Sequence, residues 1–189
     1  MALSVGIGAN RRRRAWKNHF PKDWQERIHW SESGEKHIAD VKTERGIVLE
    51  FQHSNLRREE RESREMFYQK MVWVVDGLRL KRDRSRFFAS LTRASIVKAK
   101  PLTYSLPSNE SALLRDWINS HNPVFFDFGE KSEPGDPLLF HTLVLWRLEP
   151  RSPKGEARLS PVLKTSTIRR SFAPCVLLSY SKPLRPDRL

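Results

Sequence analysis

The stretch from Gly34 to Ser54, GEKHIADVKTERGIVLEFQHS, constrains the fold more than any other, because it reads as a hairpin carrying acids where a strand should carry core. Its arms, His37 to Thr43 and Ile47 to Gln52, are rich in β-branched and apolar residues and flank polar Glu44, Arg45 and Gly46. A three-residue loop usually closes with its last residue in the left-handed region, which glycine adopts without a Cβ clash, so Gly46 fits the third position. With Thr43 opposite Ile47, Lys42 pairs with Val48, Asp40 with Glu50 and Ile38 with Gln52. Strand side chains alternate, so Ile38, Asp40, Lys42, Val48, Glu50 and Gln52 share one face, and Ala39, Val41, Ile47, Leu49 and Phe51 share the other.

Like charges directly across a hairpin repel, so Asp40 opposite Glu50 asks for a reason. A divalent cation is one: magnesium takes carboxylate, carbonyl and water oxygens, and one or two protein carboxylates suffice when a substrate phosphate supplies the rest. A face that simply lies in water is the other, and a slip of one residue in register would separate the two acids. His37, by the same alternation, points away from Asp40, which argues against a His/Asp catalytic pair.

Charge narrows the partners. Lysine and arginine number 35 against 22 acids, a formal charge of +13, which points to a polyanion: nucleic acid first, an anionic membrane surface second. No run approaches a membrane span and the first ten residues do not read as a secretory signal, so a cytoplasmic location is expected. The 189 residues suit one domain, and 38% hydrophobic against 30% charged is polar but not a disordered composition. A single cysteine, Cys175, excludes an internal disulfide and a cysteine-rich zinc site; its apolar surroundings suggest a small buried side chain.

Along the chain, the segment RRRRAWKNHFPKDW from Arg11 to Trp24 mixes arginines with aromatic rings, and its first half suits a helix ending before Pro21. Glu26 to Trp30 reads as a strand before the 31–34 turn. Ser54 or Asn55 can cap a helix from Leu56 to Lys70, with Arg57, Arg61, Arg64 and Tyr68 on one stripe; an exposed helix laced with internal ion pairs explains that stripe as well as phosphate contact does. Met71 to Val75, MVWVV, reads as a strand buried on both faces. Arg79 to Arg86, RLKRDRSR, is the least compensated positive run, and Arg79, Lys81, Arg82 and Arg84 are its candidates for backbone phosphate contact, against a merely solvated surface helix. Further on, 110–120 reads as a helix, Pro123–Phe128, Leu138–Trp146 and Cys175–Tyr180 as strands, Ser160-Pro161 as a helix start, and 181–189 as a disordered tail. No internal repeat, glycine-rich phosphate loop or nucleophile elbow occurs.

The order helix, three strands, helix, strand, with acids on the second and third strands, resembles the PD-(D/E)XK nuclease core. The wording HIADV, then GIVLEFQHS, then the arginine-rich helix and MVWVVDG is similar to the nuclease domain of competence protein CoiA-like bacterial proteins, most densely from Trp16 to Gly77. The resemblance implies an α/β (α+β) fold: one domain over 1–189 with an αβββαβ mixed-sheet core at about 12–80, flanked by helices, and a C-terminal extension of strands and helices over 81–180. It implies that Asp40 is the central metal-binding aspartate, Glu50 the following glutamate and the Phe51 carbonyl a further ligand, for magnesium or manganese. Glu26 matches an acid that some members place ahead of the first strand. Gln52 stands where the family has lysine; an amide orients water but does not stabilise negative charge as an ammonium does, and Lys42 is the candidate replacement cation. The family's cysteine-bearing zinc elements have no counterpart here.

The function expected is a metal-dependent nuclease hydrolysing DNA phosphodiester bonds, with DNA, or RNA, as the partner and no membrane, and with a protein partner or homo-oligomer left open. A catalytically inactive nucleic-acid-binding module of the same fold is the alternative, and a basic structural or interaction protein the third reading.

Overall fold

The computed structural model describes residues 11–31, 34–129, 143–150 and 152–166. The expected strand at Cys175–Tyr180, the first part of Leu138–Trp146, Cys175 and the tail lie outside them. The first helix, α1, covers residues 11–17, and a single 3-10 turn at Lys22–Trp24 leads into β1 (Gln25–Trp30), β2 (Lys36–Lys42) and β3 (Val48–Gln52). Helix α2 (Arg58–Phe67), β4 (Met71–Asp76), α3 (Asp83–Leu91), β5 (Ser95–Ala99), β6 (Leu102–Pro107), α4 (Ala112–Trp117), β7 (Val124–Asp127), β8 (Val144–Leu148) and β9 (Glu156–Leu163) follow. The described strands form one nine-stranded mixed sheet in the order β1-β2-β3-β4-β7-β8-β9-β6-β5. No described helix is long and apolar enough to cross a membrane.

The hairpin closes as its loop length predicts. Gly46 sits at φ +73° and its N–H reaches the Thr43 carbonyl at 2.8 Å, and the ladder pairs Lys42 with Val48 and Val41 with Leu49. β4 is buried along its whole length and runs parallel to β3 on one side and to β7 on the other. This is what an uninterrupted MVWVV run requires, since both faces of a central parallel strand must be covered.

One face is covered by α2, α3 and α4, packed on Val48, Trp73, Val75, Phe126 and Trp146. The buried Glu65 fixes α2 to the sheet: it accepts hydrogen bonds from Trp73 Nε1 (2.9 Å), Ser120 Oγ (2.6 Å) and the His121 N–H (3.0 Å). Helix α1 and the 3-10 turn cover the other face with Trp16, Phe20 and Trp24, against Leu49, Phe51 and Val74. Gly77, just after β4, sits where a Cβ would lie 2.4 Å from the Phe128 ring, so the chain's exit from β4 depends on glycine there.

Two expectations are corrected. Ser160 and Pro161 do not start a helix; they belong to β9, opposite Arg147 and Trp146 of β8. Pro161 lies beyond the β6–β9 ladder, which ends at Tyr104 opposite Leu159, so its missing N–H forfeits no bond to β6. Strict alternation along β2 also fails. Ala39 packs on the α2 side with Val48 and Trp73, while Val41 packs on the α1 side with Leu49 and Val74. The slip falls at Asp40, beside Glu26 of β1, whose backbone is held at φ +53°.

Candidate active site

The slip in β2 gives Asp40 its surroundings. The β2–β3 ladder runs no further than Val41 opposite Leu49, and at the next step the Asp40 side chain replaces the main chain, its Oδ2 accepting the Phe51 N–H at 2.9 Å. Asp40 and Glu50 are then neighbours on adjacent strands, 1% and 3% exposed, and both line a cleft of about 330 Å³ with Arg13, Gln52, Glu60 and Arg64.

Each acid meets a cation. Arg13, projecting from α1, donates through Nε to Asp40 Oδ1 at 2.7 Å and through Nη2 to the same oxygen. Arg64 of α2 donates to Glu50 Oε2 at 3.0 Å and to Glu60 at 2.9 Å. The other oxygen of Glu50, Oε1, is buried and has no hydrogen-bond partner. Burial, and after it the charge on Asp40, pushes the Glu50 carboxyl up to about 7, with Arg64 pulling the other way. Burial and the charge on Glu50 likewise push the Tyr68 phenol up, and its hydroxyl is a second buried group without a partner.

The structure sorts the remaining candidates. Gln52 lines the cleft, its amide held by the Ser54 carbonyl at 2.8 Å and the Ser54 hydroxyl at 3.2 Å. Phe51 lines it too, and its ring stacks on Trp16 at 5.8 Å between centroids. Glu26 lies outside, exposed and paired with Lys17 at 2.6 Å. Lys42 is not among the cleft residues; after the slip it turns to the α2 side, with Nζ 3.4 Å from His29 Nδ1. His37 also lies on that side, its ring 4.3 Å from the Phe67 ring.

The basic candidates divide by burial. Arg61 is 5% exposed: it donates to the Asp116 carbonyl and lies over the Trp117 ring. Arg79 is enclosed by Asp83 (3.2 Å) and Asp116 (2.7 Å), and Arg84 is buried beside Phe88. Arg57, Lys81 and Arg82 face solvent, and Arg64 is committed to the cleft.

Sequence reasoning passed over Asp76 and set Asp127 aside as a lone polar strand residue, yet the two form a row of acids beside the cleft. Asp76 ends β4 and Asp127 ends β7, paired across the parallel ladder. Asp76 accepts from Arg12 at 2.8 Å and lies 2.6 Å from His53 Nδ1, while Asp127 accepts from Trp16 Nε1 at 2.8 Å and pairs with Lys164 at 2.7 Å. Helix α1 therefore lies over the carboxyl ends of the parallel strands and engages an acid from each of Arg12, Arg13 and Trp16. A signal existed: both aspartates directly follow apolar strand runs, where open α/β sheets place their ligands. Among the described residues, no group of three or more histidine, cysteine, aspartate or glutamate side chains is arranged to hold a metal ion. In comparison with known proteins, no family model, no curated protein and no solved structure matches the chain.

Proposed function

We propose that this chain is a divalent-metal-dependent nuclease of the PD-(D/E)XK type, CoiA-like, acting on DNA. The observation that carries the reading is the pair of buried carboxylates, Asp40 and Glu50, side by side in one cleft of a chain of net charge +13. The element order supports it: helix, three antiparallel strands, helix, and a fourth strand parallel to the third.

Asp40 and Glu50 would hold the ion. The unpartnered Glu50 Oε1 suits a ligand, and two carboxylates are enough for magnesium or manganese when phosphate and water complete the shell. When bound, such an ion supplies Lewis acidity toward the phosphate oxygens and acidity to its water. Arg13 must leave Asp40 Oδ1 to make room, and its side chain, 46% exposed, has solvent to turn into. Released, its guanidinium would stand at the rim of the cleft that Arg13 lines and serve there as the cation that Gln52 does not provide. The Gln52 amide, steadied by Ser54, orients water. Arg57, Lys81 and Arg82, on the surface, are the sequence-expected positions left to meet the DNA backbone.

Cleavage of DNA in manganese or magnesium, abolished by EDTA and by Asp40→Asn, tests the proposal. Cleavage that survives both refutes it. A second reading, a binding module of this fold without catalysis, is favoured by one observation: Arg13 occupies the aspartate that would hold the ion. Salt-sensitive DNA binding with no cleavage in any metal would select it.

A further inference from the structure

A second hollow lies further along α2, at its C-terminal end, and its chemistry differs. It is an open groove of about 680 Å³, within the size range of ligand sites, between the β1–β2–β3 strands and the C-terminal half of α2. Among the described residues three cations line it, Lys42, Arg45 and Lys70, against one acid, Glu35, which is occupied by His37 at 2.6 Å. Arg45 and Lys70 are exposed, with no carboxylate of the described residues paired to them. Lys42 leans on His29, whose imidazole is kept neutral by burial and then by Lys42 and Arg27, so the ammonium charge is not offset.

Aromatic surface accompanies the charge. Trp30 at the rim is 64% exposed, with the Lys36 ammonium 5.5 Å over its ring, and Phe67 and Tyr68 form the wall on α2. Trp30, at the end of the edge strand β1, presents an open indole face on which a base can stack. A groove that pairs unneutralised cations with ring faces suits a backbone of phosphates carrying unstacked bases, since phosphates take the charges and every base offers a π-face. A duplex buries its base faces and a protein partner favours interface centres poor in lysine. Arg64 in the acid cleft and Phe67 in the groove wall are three residues apart on α2, so the hollows are one helical turn apart.

We propose that this groove binds single-stranded nucleic acid, with Arg45, Lys70 and Lys42 on the phosphates and Trp30 stacked on a base. The site stands whether or not Asp40 and Glu50 hydrolyse anything.

Fluorescence anisotropy of a short labelled oligothymidylate, titrated in EDTA over a range of salt, tests it on the whole chain. The substituted side chains are all exposed, so Arg45→Gln with Lys70→Gln, and separately Trp30→Ala, keep the fold, which a thermal melt verifies. The double variant should lower the slope of log affinity against log salt by about 1 to 1.5, since each phosphate contact on a single strand contributes roughly 0.7. Trp30→Ala should weaken binding about tenfold at every salt concentration while leaving the slope alone. An oligouridylate that behaves alike extends the site to RNA. An unchanged slope in the double variant overturns the proposal. So does a slope lost instead in Lys81→Gln with Arg82→Gln, or a duplex that binds as tightly and suffers equally from Trp30→Ala. Because the assay reads binding without metal, failure of hydrolysis does not affect it.

Discussion

Through Glu60 and Arg64, α2 borders a cleft in which the arginines already face carboxylates, Arg13 on Asp40 and Arg64 on Glu50 and Glu60, whereas its last residues, Met66 and Phe67, border a groove in which Arg45 and Lys70 pair with no carboxylate of the described residues. Both hollows draw on the same basic composition, yet in one the charges are spent on internal partners and in the other they stay available. A positive total is therefore a poor guide to where a polyanion lies. What matters is which cations are left without an acid, and only the folded chain decides that.

The comparison breaks most visibly if the acid cleft is not catalytic. Asp40→Asn and Glu50→Gln should each reduce DNA cleavage by more than the roughly hundredfold expected for loss of an outer-shell partner, with oligonucleotide affinity in EDTA held within about threefold because the groove is intact. Equal loss of binding and cleavage would merge the two hollows into one site.

Arg79→Ala sharpens it from another side. That arginine was expected on phosphates but is enclosed by Asp83 and Asp116, and breaking a buried ion pair leaves uncompensated charge. Denaturant unfolding should show a loss of about 3 kcal/mol, with the salt slope of DNA binding unaltered. A lowered slope with unchanged stability would return Arg79 to the surface.

The third effect is electrostatic. Glu50 in the folded chain holds its proton up to about pH 7, above its ordinary 4.5. The native state thus binds the proton more tightly than the unfolded one, so this contribution is complete below the ordinary value and is lost as pH rises through about 7. Glu50→Gln, which never ionises, should gain up to about 3 kcal/mol over the parent at pH 8 and nothing near pH 4, as read by denaturant midpoints at the two pH values. A gap that fails to narrow on acidification would exclude burial of charge at Glu50 as the cause. Smallest of all, Arg82→Ala should alter stability by no more than about 0.5 kcal/mol, the usual limit for a surface position, and a calorimetric melt would expose any larger coupling.

Much of the architecture was legible because the local signals agree. The Thr43–Ile47 closure, the glycine at the third loop position and the apolar run Met71–Val75 of β4 each follow from patterns within a few residues. Alternation then misled at Asp40, where β2 slips by one residue. That slip moved Lys42 away from the acids and left Ala39 and Val41 on opposite faces, an outcome set by packing between α1 and α2 rather than by the strand's own residues. The serine and proline at 160 and 161 carry a genuine helix-start signal, but the ladder with β8 overrides it. Strand β5 escaped notice because SIVKA is exposed throughout and offers no buried face to read, and β6 because it buries only Thr103 and Leu106. Arg13 is 27 positions from Asp40 and Asp127 is 111 from Trp16, so no local pattern joins them.

The position of β9 has a consequence for how the polypeptide is made. Among the described strands, the β5–β6 hairpin joins the sheet only through β9, which is made after β7 and β8, so the edge of β6 stays open until Glu156–Leu163 has left the ribosome. Release of the chain before Glu156 would leave that exposed hairpin without its neighbour, the condition in which strand edges recruit other chains. Premature termination should therefore yield aggregates seeded by residues 95–107 rather than a smaller working protein.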